Sequence, residues 1–186
     1  SAGADVTEDK RVVQTPADHL EGAKAVVVLG VRIPQESVER LAKAPAEAIG
    51  PYAFAQHQSH RHLRLAATAL VKTLSGWGLQ CAVTDDLCGT GSMVANPRGQ
   101  HPSAFSNRFA AVAAGLGTLT HGGFVRNPQY GTSLRYLAIV VDAELTEDPL
   151  ADLKGLRREC EAGCTRCTSQ CTIHAFRKPA SVTIGH

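Results

Sequence analysis

Four of the chain's six cysteines fall within twelve residues, as Cys160-x3-Cys164-x2-Cys167-x3-Cys171. Thiolates this close can converge on one small object, and two chemistries compete for them. Zinc sites built from four cysteines normally split into two knuckles a dozen or more residues apart. Iron–sulfur clusters use a compact run of three cysteines plus a fourth, and the spacing here favours a 4Fe–4S cluster over zinc. Charge agrees. Residues 151–186 hold six Lys/Arg against three acids, while the rest of the chain holds 13 against 14. A thiolate-ligated cluster is net anionic, so the basic excess sits beside it. Cys171 is followed by Thr172 rather than by the Pro seen where a fourth cysteine serves a second cluster, so all four are expected on one cluster. Cys81 alternates with apolar neighbours and reads as a small buried hydrophobe, whereas Cys88 is undecided.

A second stretch with chemical potential runs from Gly115 to Gly131. Gly115, Gly117, Gly122, Gly123 and Gly131 let the backbone turn tightly and approach a flat or anionic ligand, with ordinary turns as the competing reading. His121, inside the stretch, is placed to meet a ligand phosphate or amide. The stretch is not a dinucleotide fingerprint: its spacing fails, and it follows a helix rather than a strand. No Gly-x4-Gly-Lys-Ser/Thr phosphate loop is present either.

Among acid/base candidates, Asp85 and Asp86 end a strand, where adjacent carboxylates can split roles or simply cap a loop. His57 and His60 share a helix face that His62 does not join. The interspersed Arg61 and Arg64 make that face solvated or anion-facing rather than metal-binding. His174 is expected to donate to a cluster sulfur or to lie exposed.

These residues need a scaffold. Lys24–Val31 is a continuous β-branched run and predicts a strand buried on both faces. A short helix is expected over Glu36–Ala44. The strongest helical pattern spans His57–Leu74, with Leu63, Ala66, Ala67, Leu70, Val71 and Leu74 on one face and Gly76 and Gly78 ending it. Leu79–Thr84 alternates as a strand, and Leu87–Pro102 reads as a long loop. Ser103–Ala114 predicts a helix with Gly115 just past its end, and Leu134–Val141 another strand after the turn at Asn127–Gly131. The first twenty residues read as an irregular lead-in. The alternation implies an α/β or α+β sheet domain over 1–150 with a small metal module over 151–186.

Composition bounds the rest. At 186 residues and 44% hydrophobic, the chain has the makings of one ordinary folded domain and not of a disordered one. A net charge of +2 is too small to announce nucleic acid. The longest strand-like apolar run, Ala25–Val31, is far short of the roughly 18 residues that span a bilayer. No signal-peptide pattern appears, so the expectation is a cytoplasmic protein.

The stretch "AGLGTLTHGGFVRNPQYGTSLR", followed by "CEAGCTRCTSQC", resembles the family of epoxyqueuosine reductases and reductive dehalogenases. "GAKAVVVLGV" is similar to that family's first core strand, and "PYAFAQHQSHRHLRLAATALVKTLSGWGLQCAV" to its Tyr-led helix and next strand, so the likeness covers roughly 20–176. The resemblance implies an α+β fold: a nitroreductase-like sandwich holding cobalamin, with a small C-terminal ferredoxin-like module. It implies a cluster that delivers electrons to cobalamin, with Tyr52 or Asp86 as proton donor. Gly115, Gly117, His121, Gly122, Gly123, Asn127, Tyr130 and Gly131 would line the cofactor, and substitution at Gly122 or Gly123 would then spare the cluster. The partners implied are a small-molecule substrate or corrinoid and an electron donor of ferredoxin or flavodoxin type, with homodimerisation left open. Where the family usually has two clusters, this sequence shows cysteines for one. The alternatives are a non-catalytic corrinoid-binding or electron-transfer protein, or flavin held by the same sandwich.

Overall fold

A computed structural model describes residues 15–41, 49–84, 106–120, 122, 124–148 and 164–170. Its frame is a three-stranded antiparallel sheet. Strand β5 (Leu134–Val141) runs down the middle, between β1 (Ala25–Arg32) and β2 (Cys81–Val83). The register pairs Ala25 and Cys81 with Val141, and Arg32 with Leu134. Side chains alternate across a strand, so β5 serves two faces. Leu137, Ile139 and Val141 form one core cluster with Leu63, Ala67 and Leu74 of α3 (Ile49–Gly76). On the other face Tyr136 and Ala138 meet Ala110 and Ala111 of α4 (Asn107–Ala113). The sheet is therefore covered by a helix on each side. This mixed helix-and-strand arrangement is of the α+β kind.

Position in the sheet decides burial. Lys24–Val31 forms the expected strand but not the expected burial: β1 is an edge strand and only half-buried along most of its length. The strand buried on both faces is β5, whose last six residues are all enclosed. Both runs are mostly apolar with several β-branched residues, so their local sequence does not tell edge from centre.

The long helix extends eight residues upstream of the periodic stretch, through Pro51 in its first turn, where a missing N–H costs nothing. Of the face expected to be buried, Leu63, Ala67 and Leu74 are enclosed and Leu70 and Val71 pack against them, while Ala66 is exposed. Two short helices complete this half: α1 (Pro16–His19), inside the stretch expected to be irregular, and α2 (Gln35–Leu41). A capping box explains the first. Thr15 accepts from the Asp18 N–H while the Asp18 carboxylate accepts from the Thr15 N–H. Cys81 packs against the main core as expected, and its thiol is pushed up by burial and by the Asp142 carboxylate.

Gly115 ends α4 as the pattern predicts. Its φ is +71°, its N–H donates to the Val112 carbonyl at 3.0 Å, and the Leu116 N–H returns to the Ala111 carbonyl at 2.9 Å. That pair of bonds is a Schellman motif, which only glycine enters without strain. Leu87–Pro102 and the start of the helix expected at Ser103 lie outside the described residues. Among the described residues no helix is long and apolar enough to cross a membrane.

Candidate functional site

The glycine-rich stretch folds into a hairpin that the sequence pattern did not reveal. After the α4 cap come β3 (Thr118–Leu119) and β4 (Val125–Arg126), paired antiparallel. Thr120 closes the turn: its N–H donates to the Phe124 carbonyl at 2.8 Å, and its hydroxyl accepts from the Phe124 N–H at 3.2 Å. Strands of two residues carry no readable alternation, which is why only the glycines signalled this element.

Two of these glycines are required by close approach. A Cβ on Gly117 would run into the carbonyl oxygen of Arg126, lie 2.8 Å from its carbonyl carbon and 3.0 Å from Val125 Cγ1. The glycine therefore lets β3 start against β4. A Cβ on Gly122, at the hairpin tip, would lie 2.8 Å from Cys167 Cβ and 3.1 Å from its Sγ. The two stretches singled out from sequence are in contact. That contact corrects the expectation that a change at Gly122 would spare the cysteines.

Cys164 is half-buried and Cys167 exposed, both with free thiols. Cys167 sits in a single turn of helix, α5 (Arg166–Ser169). Cys160 and Cys171 lie outside the described residues, as do Asp86, His121 and Gly123. Among the described residues no group of three or more His, Cys, Asp or Glu converges to hold a metal ion. The described part of the run fits half of a four-thiolate set: two free thiols three residues apart, one of them closely approached by a glycine.

Asn127 organises the turn into β5. Its Nδ2 donates to the Leu116 carbonyl at 2.7 Å, and its Oδ1 accepts from the N–H groups of Gln129 (2.9 Å) and Tyr130 (3.1 Å). Its backbone exchanges bonds with Gly131 at 2.8 and 3.0 Å. These bonds tie the hairpin's exit to the α4 cap. Asn127→Ala removes three side-chain bonds from a half-buried turn and is expected to cost about 2 kcal/mol, whereas Asn127→Asp, which keeps the acceptor, should cost about 1 kcal/mol. Urea unfolding of the three proteins checks the order. Tyr130 stays exposed, with the Arg32 guanidinium 5.8 Å from its ring centroid.

Beneath the hairpin lies Tyr136, 6% exposed, in a cluster with Ala111, Val125, Leu116 and Leu119. Burial pushes its hydroxyl up to about 12, and that hydroxyl has no hydrogen-bond partner among the described residues. A buried hydroxyl without a partner is costly, and a bound polar group is one way of satisfying it. The sequence signal was weak, because Tyr136 stands inside an apolar run.

The exit of β2 is pinned. The fully buried Thr84 hydroxyl sits against Asn107 Oδ1 and 2.9 Å from the Ala138 carbonyl, while the Ala138 N–H donates to Asn107 Oδ1 at 2.8 Å. This buried network holds the chain that runs on into Asp85 and Asp86. Tyr52 is elsewhere. Its hydroxyl accepts from Arg135 Nη2 at 3.3 Å, and Arg135 alternates with Tyr136 onto the α3 side of the sheet. The described contacts thus bring Gly117, Gly122, Asn127 and Cys167 into one region and leave Tyr52 in another.

No family model and no curated protein matches this chain. Among solved structures it is similar to epoxyqueuosine reductase from Streptococcus thermophilus, with a TM-score of 0.53 at 18% identity. That match covers 88% of this chain but 40% of the other, so the chain spans two fifths of the length of the protein it resembles. At this identity the likeness is one of fold.

Proposed function

We propose that the chain is an iron–sulfur oxidoreductase of the corrinoid-dependent reductase kind, with a 4Fe–4S cluster on Cys160, Cys164, Cys167 and Cys171. One observation carries the reading: the glycine hairpin rests on Cys167, with Gly122 leaving no room for a β-carbon between them. A group cradled by Gly115–Gly131 would lie beside a cluster ligand, which is the arrangement that electron transfer between the two requires. The fold-level likeness to a reductase supports the same assignment.

When bound, cobalamin would supply the low-valent cobalt chemistry, and the protein's share is positioning and tuning. His121, Gly122, Gly123, Asn127, Tyr130 and Gly131 would line it, and the Tyr136 hydroxyl beneath the hairpin would be a polar contact. Asp86, just beyond the pinned Thr84, and Tyr52 are the candidate proton donors. Tyr52's place on the α3 side favours Asp86. It also favours, as a second reading, a corrinoid-binding or electron-transfer protein that turns over no substrate.

Anaerobic reconstitution followed by metal analysis tests the proposal. About four iron per chain and no zinc is what one cubane cluster requires. Stoichiometric zinc would overturn the cluster, and an unchanged corrin spectrum on titration with cobalamin would remove the corrinoid.

A further inference from the structure

The α3 side of the sheet carries a concentration of positive charge that the reductase reading does not use. Helix α3 has no Asp or Glu in its 28 residues, yet carries the cations Arg61, Arg64 and Lys72 together with His57, His60 and His62. Neither β1 nor β5 contributes an acid. Arg135, on β5, is half-buried at the end of the face whose other members are Leu137, Ile139 and Val141. It donates to its neighbour's carbonyl, Leu134 O, at 3.1 Å and to Tyr52 Oη at 3.3 Å. Among the described residues no carboxylate accepts from it. The two acids of the adjoining helix α2 are Glu36 and Glu39, both exposed, and Glu39 accepts from Gln35 at 3.2 Å.

His60 senses this environment. Burial first, then the charges of Arg135, Arg64 and His57, hold its imidazole below the usual range. A half-buried guanidinium with no counter-ion among the described residues carries a desolvation cost that a bound anion would offset. Donors are left over. Arg135 has used two of its five N–H groups, and Tyr52, accepting from Arg135, keeps its own O–H to give. These four donors outnumber the two oxygens of a carboxylate. They suit the three free oxygens of a phosphoryl group.

We propose that Arg135 and Tyr52 form a phosphate-binding site on the α3 side of the sheet, with His60 further along α3 sensing its charge, distinct from the glycine hairpin and taking the phosphoryl group of a small anionic ligand. The site needs no cluster and no corrinoid, so it stands or falls separately from the reductase reading.

Inorganic phosphate is the probe, titrated into the purified chain with sodium chloride and acetate at matched ionic strength as controls. Phosphate should raise the melting temperature where chloride and acetate do not. Arg135→Gln should weaken phosphate binding roughly tenfold or more, because it removes charge-assisted bonds, and Tyr52→Phe roughly fivefold, because it removes one neutral donor. In the unaltered chain the NMR titration midpoint of His60 should rise with phosphate, since a neighbouring anion favours the imidazolium. That readout holds even where Arg135→Gln does not fold. Equal stabilisation by acetate or chloride, equal phosphate affinity in Tyr52→Phe, or a His60 midpoint indifferent to phosphate would each overturn the site.

Discussion

Gly117→Ala is expected to destabilise the protein by about 3 kcal/mol, the upper end of what overpacking one position costs. The new methyl would meet the carbonyl of Arg126 and crowd Val125 Cγ1 at 3.0 Å. A flexible side chain could turn away from such a contact; backbone cannot. Moving Arg126 would break its pairing with Thr118 and unseat Val125, which is 4% exposed in the cluster under the hairpin. For a chain of this size the change corresponds to a loss of about 6–12 °C in melting temperature. Gly131→Ala is the control. Gly131 has a φ of +58° but open space around its Cβ direction, so alanine there carries only the left-handed strain, about 1 kcal/mol. Thermal unfolding of both variants decides the matter. Equal losses would mean that Gly117 is not the close-approach position described.

Cys167→Ser is expected to abolish the brown chromophore of the reconstituted protein, because a hydroxyl does not replace a thiolate on iron. Gly122→Val should approach the same result without touching a ligand. Its β-carbon would lie 2.8 Å from Cys167 Cβ, so either the hairpin tip or the cysteine must shift. Displacing an element that packs on a metal ligand typically costs about tenfold in metal affinity. Iron per chain after desalting separates these outcomes, with Cys81→Ser as the variant that keeps its iron. Full iron in Gly122→Val would show that hairpin and cluster are independent. Loss of iron in Cys81→Ser would show that the ligand set is wrong.

Much of this molecule is legible in its sequence because the signals are local. Leu134–Val141 is mostly apolar and ends in three β-branched residues, and the strand forms over those positions. Leu63, Ala67 and Leu74 recur at helical spacing, and the helix buries them. Gly115 follows an Ala-rich helix, and it adopts the left-handed cap that only glycine takes cheaply. The close spacing of four cysteines and the density of glycines mark where chemistry belongs, because few other uses call for those residues so crowded.

What local pattern does not carry is which segments meet. Lys24–Val31 and Leu134–Val141 look alike, and only strand order makes one an edge and the other the centre. The β3–β4 hairpin is too short for alternation and exists because the Gly117 and Arg126 backbones come together. Tyr52 and Arg135 are 83 residues apart, Gly122 and Cys167 forty-five, and no periodicity spans such distances. Sequence alone settled the residue types, the helix face, the existence of both long strands and the crowding of thiols, each written in a few neighbouring positions. The tertiary structure decided that the glycine hairpin rests on Cys167 and that Tyr52 faces Arg135 across the sheet's other side, because long-range packing and strand alternation determine which side chains meet.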